Sequence, residues 1–267
     1  MLTLLSFFAF ALGAIVGSFL NVVIYRYPRE ESIVFPGSHC PHCNAAIGWY
    51  DNIPILSYIV LGARCRRCKA PISPRYPLVE LANALFYLAI FLQTGPTVAF
   101  LLVAAIVSMT IALIYIDADI QILPDVIDLP GIAIGIAIAA LGAMPVDAML
   151  STASTLRDSI IGAAAGAGVL IVIAESYKLI RRVEGMGYGD VKMLAMIGAV
   201  VGWRWLFTSV LFASIAGAAV GLAAAARSRA GLRTALPFGV FLGFALLVIL
   251  FFGAILVQWL PTLRWGG

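Results

Sequence analysis

Residues Val191 to Ala226 read VKMLAMIGAVVGWRWLFTSVLFASIAGAAVGLAAAA, thirty-six positions with two cations, Lys192 and Arg204, and no acid. A helix crosses about 30 Å of hydrocarbon in roughly 20 residues, so this run is too long for one span of ordinary tilt. Gly202-Trp203-Arg204-Trp205 interrupts it, and two tryptophans flanking an arginine suit the membrane–water interface. The run is therefore predicted to break there into two helices. That choice decides the fold, because it sets the side of the membrane on which every later loop falls.

Working outward, further apolar runs occupy Leu2–Val23, Leu78–Gln93, Val98–Ile116, Leu129–Val146, Ser159–Tyr177 and Pro237–Trp259, which makes eight predicted spans. The Leu2–Val23 run has no basic segment before it and no small-residue cleavage site, so it reads as a retained helix. With 26–77, 117–128, 178–192 and 227–234 on one side, fourteen of the seventeen Lys/Arg lie there. Arg157, Arg204 and Arg264 lie opposite. Treating 191–226 as one span degrades that to eleven against six. The positive-inside rule makes the basic side cytoplasmic and places both termini outside. The composition agrees: 63% of the 267 residues are hydrophobic, 11% are charged, and the mean hydropathy is +1.05. Such values exclude a single soluble globule and a disordered chain. A nucleic-acid role is excluded too, since the cations follow the membrane rule and form no continuous stripe. Gly162, Gly166, Ala213 and Gly217 read as close-packing helix faces. The expected architecture is an all-α polytopic membrane protein. Residues 1–25 form the first helix, 26–77 a small cytoplasmic domain, and 78–267 a seven-helix core.

The 26–77 segment holds both histidines, all four cysteines and many prolines. Cys40-Pro-His-Cys43 and Cys65-Arg-Arg-Cys68, 21 residues apart, have the spacing of a structural zinc site on a small ribbon. Disulfides are the other reading, disfavoured on a reducing cytoplasmic face. His39 and His42 are bystanders where four thiols suffice. About 50 residues make a weak core, so a metal would supply much of the folding free energy. Trp49, Tyr50, Tyr58 and Tyr76 are expected as its aromatic packing.

Carboxylates at membrane depth are costly and mark function. Asp117, Asp119, Asp125 and Asp128 cluster after the third span without a local cation. Gly185-Met-Gly187-Tyr-Gly189-Asp190-Val-Lys192 opens the sixth. The topology puts both on the cytoplasmic face. Asp117 closes one helix and Asp190 opens another. Brought together, they could share a proton, one as base on water and the other as acid. Gly187 and Gly189 would admit a substrate backbone or let the segment bend. Lys192 reads as a positive-inside anchor, with counter-charge as the other role. Asp125 reads either as a helix cap or as a source of negative potential.

Taken together, these elements resemble the bacterial type IV prepilin peptidases, GxGD-type aspartic proteases of the inner membrane. The resemblance is carried by Gly17-Ser-Phe-Leu-Asn21, Pro36-x-Ser38-x-Cys40, Trp49-Tyr50-x-Asn52-Ile53-Pro54 and Arg75-Tyr76-Pro77-x-x-Glu80. Asp117-x-Asp119, Leu123-Pro124-Asp125 and Gly187-Tyr-Gly189-Asp190 complete it. The last two spans match only as apolar helices. The resemblance implies removal of the basic leader of prepilins or pseudopilins after a glycine, with Asp117 and Asp190 as the catalytic pair. It also implies methylation of the new N-terminal amine by S-adenosylmethionine, an activity associated with the cysteine domain. No Gly-rich loop identifies the residues that would bind that cofactor. Asp119, Asp125 and Asp128 would attract the leader, with Gly187 and Gly189 beside it. Substrates and membrane lipids are the expected partners.

Two other functions fit parts of the sequence. A proton-coupled transporter fits intramembrane Asp residues, but the chain has no inverted repeat and its Asp clusters share one face. A scaffold recruiting a partner through the cysteine domain leaves the Asp cluster unexplained.

Overall fold

A computed structural model describes residues 2–144, 150–153, 155–182, 187–227 and 236–259. Each of the eight apolar runs is a helix: α1 (Leu2–Arg26), α3 (Arg75–Thr94), α4 (Val98–Ile120), α5 (Asp125–Ala140), α6 (Leu156–Arg181), α7 (Tyr188–Val201), α8 (Leu206–Arg227) and α9 (Phe238–Trp259). A ninth, α2 (Leu56–Val60), is one short turn in the cysteine segment. No strand is formed among the described residues. Arg229 and Arg233, which enter the cytoplasmic count, lie outside them, as do Arg264, Gly185 and Met186.

The long apolar run breaks where the sequence indicates. Gly202 takes φ +85° at the end of α7, a conformation that favours glycine, and Trp203–Trp205 form a 3-10 turn before α8. Six helices (α1, α3, α4, α6, α8 and α9) are long and apolar enough to cross a membrane. The other two are shorter. The 14 residues of α7 reach only about 21 Å, and the 16 of α5 about 24 Å. Every α7 residue from Val191 to Val201 except Lys192 is buried, whereas α5 buries one face and leaves Val126 and Leu129 exposed. Protein neighbours, not lipid, cover α7. The expected Leu129–Val146 span instead starts at Asp125 and ends at Ala140, before the Leu141-Gly142 turn with Gly142 at φ +53°. Val146 is outside the described residues.

The chain divides into two compact units, Met1–Pro96 and Thr97–Gly267. In the first, α1 packs on α3 at close range. A Cβ on Gly13 would lie 2.8 Å from the Ala84 Cα, and one on Gly17 would lie 2.7 Å from the Glu80 Cα. The buried Asn83 Nδ2 donates to the Gly13 carbonyl at 2.7 Å, and Asn21 Nδ2 donates to the Tyr76 carbonyl at 3.1 Å. In an apolar surround, such bonds fix register where dispersion alone would not. Arg26, almost fully buried, donates to the carbonyls of Ser32 and Gly37 and so ties the cysteine segment to the end of α1.

In the second unit, α7 is the central element, touching α5, α6, α8 and α9. Its close approach to α6 is made by glycines. A Cβ at Gly162 or Gly198 would strike the facing backbone carbonyl of the other. Ser159, fully buried, donates to the Ala199 carbonyl at 2.7 Å across the same contact. Gly217 faces the Phe241 ring. These are the small-residue faces expected of tight membrane helix pairs.

Candidate functional site

Asp117 lies in the last turn of α4 and is 4% exposed. Gln121 ends that helix in the left-handed region, and its N–H bonds back to the Asp117 carbonyl at 2.9 Å. The chain then turns through Ile122 and Leu123 into α5. The Asp117 carboxylate does not point into this turn. Its Oδ2 accepts the Val240 N–H at 2.9 Å, in the first turn of α9. First-turn amides lack helical partners, so Asp117 satisfies a donor that α9 cannot satisfy itself. Gly239 makes this possible, since a Cβ there would lie 2.9 Å from Oδ2 and 2.9 Å from Leu123 Cδ1.

Leu123 is the wedge of the site. Buried itself, it fills the space over Gly239 and also over Gly189, where a Cβ would lie 2.8 Å from its own Cβ. It thereby brings the start of α7 beside the start of α9. Gly187 caps α7 and is open, whereas Gly189 is pressed on Leu123. Asp190 follows in the first turn of α7, half-buried. Asp117, Asp128 and Asp190 are within electrostatic reach of one another. Asp128, in the first turn of α5, has no exposed surface, and neither of its oxygens has a hydrogen-bond partner among the described residues.

Two sequence expectations are corrected here. Asp125 does not cap α5. Pro124 holds the cap position without a side-chain bond, and the Asp125 carboxylate is ion-paired with Lys192. The Asp cluster therefore has a counter-charge, supplied by the glycine-rich element 67 residues later. Lys192 serves as that partner rather than as a lone anchor. Asp119 stands on the exposed side of the end of α4. The contribution of Gly239 and Val240 was missed, because the last helix reads only as an apolar span. The sole hint is Pro237-Phe-Gly239 at its start.

In the first unit the four cysteines converge, their sulfurs all within 4.8 Å of one another. The two knuckles repeat the same backbone. Cys40 N–H donates to the Ala45 carbonyl and Cys65 N–H to that of Ala70, each at 2.9 Å. Asn44 and Lys69, just after each second cysteine, both adopt left-handed φ. Single antiparallel bridges, His39 to Ala46 and Arg64 to Pro71, close the two turns. Amides of Cys68 and Arg67 directed at Cys65 bring its thiol down to about 6. At Cys68 the Ala70 amide pulls the same way, but burial and the neighbouring sulfurs push its thiol up to about 11. Four thiols so gathered can hold a metal ion, which would take the place of their protons. Arg66 grips Asp51 with two bonds, at 2.7 and 2.6 Å, and this hydrogen bonding holds the Asp51 carboxyl below its usual range. The expected aromatic shell is not formed: Trp49 is 82% exposed, Tyr50 and Tyr76 are also exposed, and Tyr58 is half-buried.

This is a multi-pass membrane protein with a four-thiol lobe and a buried carboxylate group where the ends of four helices meet. Residues 11–94 match the family described as Bacterial Peptidase A24 N-terminal domain, and residues 104–222 match the Type IV leader peptidase family. A Burkholderia pseudomallei (strain 1026b) protein named prepilin leader peptidase/N-methyltransferase is 39% identical, over 92% of this chain and 85% of its own length. Proteins of the same name from Myxococcus xanthus (44% identical, over 86% of this chain and 67% of that protein) and Pseudomonas aeruginosa (36%, over 91% and 88%) are also similar. The chain belongs to the type IV leader peptidase family. No solved structure matches it. The transporter alternative finds no support among these relatives.

Proposed function

We propose that the chain is an inner-membrane aspartic endopeptidase that removes the basic leader of prepilins or pseudopilins after a glycine, at the cytoplasmic face. It then methylates the exposed amine with S-adenosylmethionine. The observation that carries the peptidase reading is that Asp117, buried at the end of α4, and Asp190, half-buried at the start of α7, lie within electrostatic reach of each other. One carboxylate takes a proton from water, whose oxygen attacks the scissile carbonyl carbon while the other carboxyl protonates the carbonyl oxygen. The tetrahedral intermediate collapses as the leaving amine receives a proton, and the C–N bond breaks. The pair returns to its starting state with one proton shared.

Asp119, exposed, carries the negative potential that draws in a Lys/Arg leader, with Asp125 able to exchange Lys192 for a leader cation and Asp128 buried behind them. Gly187, open at the start of α7, leaves room for the substrate backbone, with Gly189 behind it. Residues 26–77 form the extramembrane domain between the first helix and the remainder. Its metal is zinc, held by Cys40, Cys43, Cys65 and Cys68. Zn–S bonds of about 2.3 Å in a tetrahedron put sulfurs roughly 3.8 Å apart, and Cys40 Sγ and Cys68 Sγ stand 3.8 Å apart. With four thiolates the site is closed, so zinc is structural and water activation stays with the carboxylates. The test is cleavage of a prepilin in detergent by the wild-type chain and by Asp117→Asn and Asp190→Asn. Near-normal turnover by either variant removes that residue from the pair.

A further inference from the structure

The short helix α2 carries a feature that neither the thiol cluster nor the carboxylate group explains. Leu56, Ile59 and Val60 sit at the i, i+3 and i+4 positions of one face, and are 59%, 67% and 78% exposed. Trp49 and Tyr50 adjoin this helix, since the Ser57 hydroxyl donates to the Tyr50 carbonyl at 3.2 Å and the two rings meet edge to face. A water-facing domain this small does not ordinarily leave five large apolar side chains uncovered together.

The position of α2 is enforced. Ile55, which precedes it, has φ +64° and ψ −51°, and Leu56 N–H bonds back to the Pro54 carbonyl at 2.6 Å. This is the strained, positive-φ form of the γ-turn, which a β-branched residue occupies only when the surroundings hold it there. The holding group is Glu80, a buried carboxylate on α3 that accepts the Ile55 N–H at 2.7 Å. Glu80 lies five residues beyond Arg75, where α3 begins, so α2 is drawn about 7.5 Å along the spanning helix, not left above its end. At that level α3, itself long and apolar enough to span a membrane, exposes Leu78 and Leu81. In-plane amphipathic segments sit at this depth, about 5–10 Å into the boundary between headgroups and acyl chains. Residues 26–77 as a whole carry seven Lys/Arg against three acids, a net positive charge complementary to anionic headgroups.

We propose that Leu56, Ile59 and Val60, with Trp49, form an in-plane anchor seated in the bilayer interface, held at that level by the Glu80–Ile55 bond. The occupant of this face is lipid, because the face continues the apolar surface of α3 at the height where the chain enters the membrane.

The test uses the full chain with Trp203, Trp205, Trp259 and Trp265 replaced by Phe, in nanodiscs of phosphatidylcholine and phosphatidylglycerol. Trp49 emission is read with lipids brominated near the top of the acyl chain and with aqueous iodide. The expected result is a blue-shifted Trp49 that loses emission to bromine and is little affected by iodide. Leu56→Ser, Ile59→Ser and Val60→Ser together should reverse both quenching responses while metal content, measured on the same sample, stays at the parent level. Quenching by iodide and not by bromine would overturn the proposal. So would protection from both quenchers, which would mean that protein covers the face. Bromine quenching that disappears when a prepilin is added would assign the face to substrate, and bromine quenching that arises only then would mean that the resting chain is not anchored there; either would overturn it. None of these outcomes depends on peptide cleavage, so a failure here leaves the peptidase assignment standing.

Discussion

Replacing Gly239 by Ala perturbs the carboxylate group without removing any carboxylate. A Cβ built at this position lies 2.9 Å from Asp117 Oδ2 and 3.1 Å from its Cγ, and 2.9 Å from Leu123 Cδ1. Ordinary contact for such atoms begins near 3.5 Å, so the Asp117 side chain and Leu123 must each retreat by roughly half an ångström or more. Leu123 is also packed on Gly189, so its retreat is transmitted to the start of α7, next to Asp190. Displacements approaching 1 Å at reacting groups cost about 10²-fold in rate, and Gly239→Ala is expected to slow cleavage by one to two orders of magnitude at an unchanged membrane level. Stability should hardly fall, because Ala is favoured over Gly in helices by up to about 1 kcal/mol and offsets the lost contact. Gly168→Ala in α6 is the control, since a Cβ there meets nothing within 4 Å and cleavage should be unaffected. The assay is initial-rate cleavage of a prepilin in detergent, beside thermal unfolding. Wild-type turnover by Gly239→Ala would refute the claim that the first turn of α9 shapes the catalytic group.

Asp117→Asn and Asp117→Ala should both abolish cleavage, but only Ala should lower stability, by about 1 kcal/mol, because Asn still accepts the Val240 N–H as a helix cap does; thermal unfolding distinguishes them. Glu80→Ala should destabilise the cysteine lobe by roughly 1–3 kcal/mol by orphaning the Ile55 amide, and Glu80→Gln should do so less; the temperature of metal release reports it. The purified chain should hold one zinc, measured by elemental analysis, and a chelator that strips it should loosen the lobe without halting peptide hydrolysis at once. Replacing Cys40, Cys43, Cys65 and Cys68 by Ser should impair methylation more than cleavage, read from the mass of the mature N-terminus. Equal loss of both at normal membrane levels would join the two activities into one unit.

Most of the helix order was legible in the sequence, because apolar runs and their interruptions are strong signals. The break at Gly202-Trp203-Arg204-Trp205 followed from the length of the run, the two tryptophans flanking an arginine within it and the balance of Lys/Arg across the membrane, and the two thiol knuckles followed from spacing. The burial of α7 was not legible. Hydropathy cannot distinguish a helix facing lipid from one wrapped by other helices, and Met193, Leu194 and Ile197 are apolar in either case. The Asp125–Lys192 pair was also hidden, since it joins residues 67 positions apart and each looks unpartnered in its own segment. The role of Leu123 depends on two glycines, Gly189 and Gly239, that approach one side chain from different helices. Nothing local to either glycine encodes that. The aromatic residues of the cysteine segment misled for a simpler reason: rings in a small domain usually pack inward, but Trp49, Tyr50 and Tyr76 stay exposed, as the interface anchor proposed above requires of Trp49.

The central claim is that Asp117 and Asp190 act as one proton-sharing pair. It is tested most directly by incubating a prepilin with the wild-type chain, Asp117→Asn, Asp190→Asn and the double variant, at matched membrane levels, and measuring the intact mass of the product. Residues that work as one unit lose activity non-additively. The account predicts leader removal by the wild type alone, with each single variant as inactive as the double. A single variant that retains leader removal, or a double variant clearly slower than either single, would contradict it.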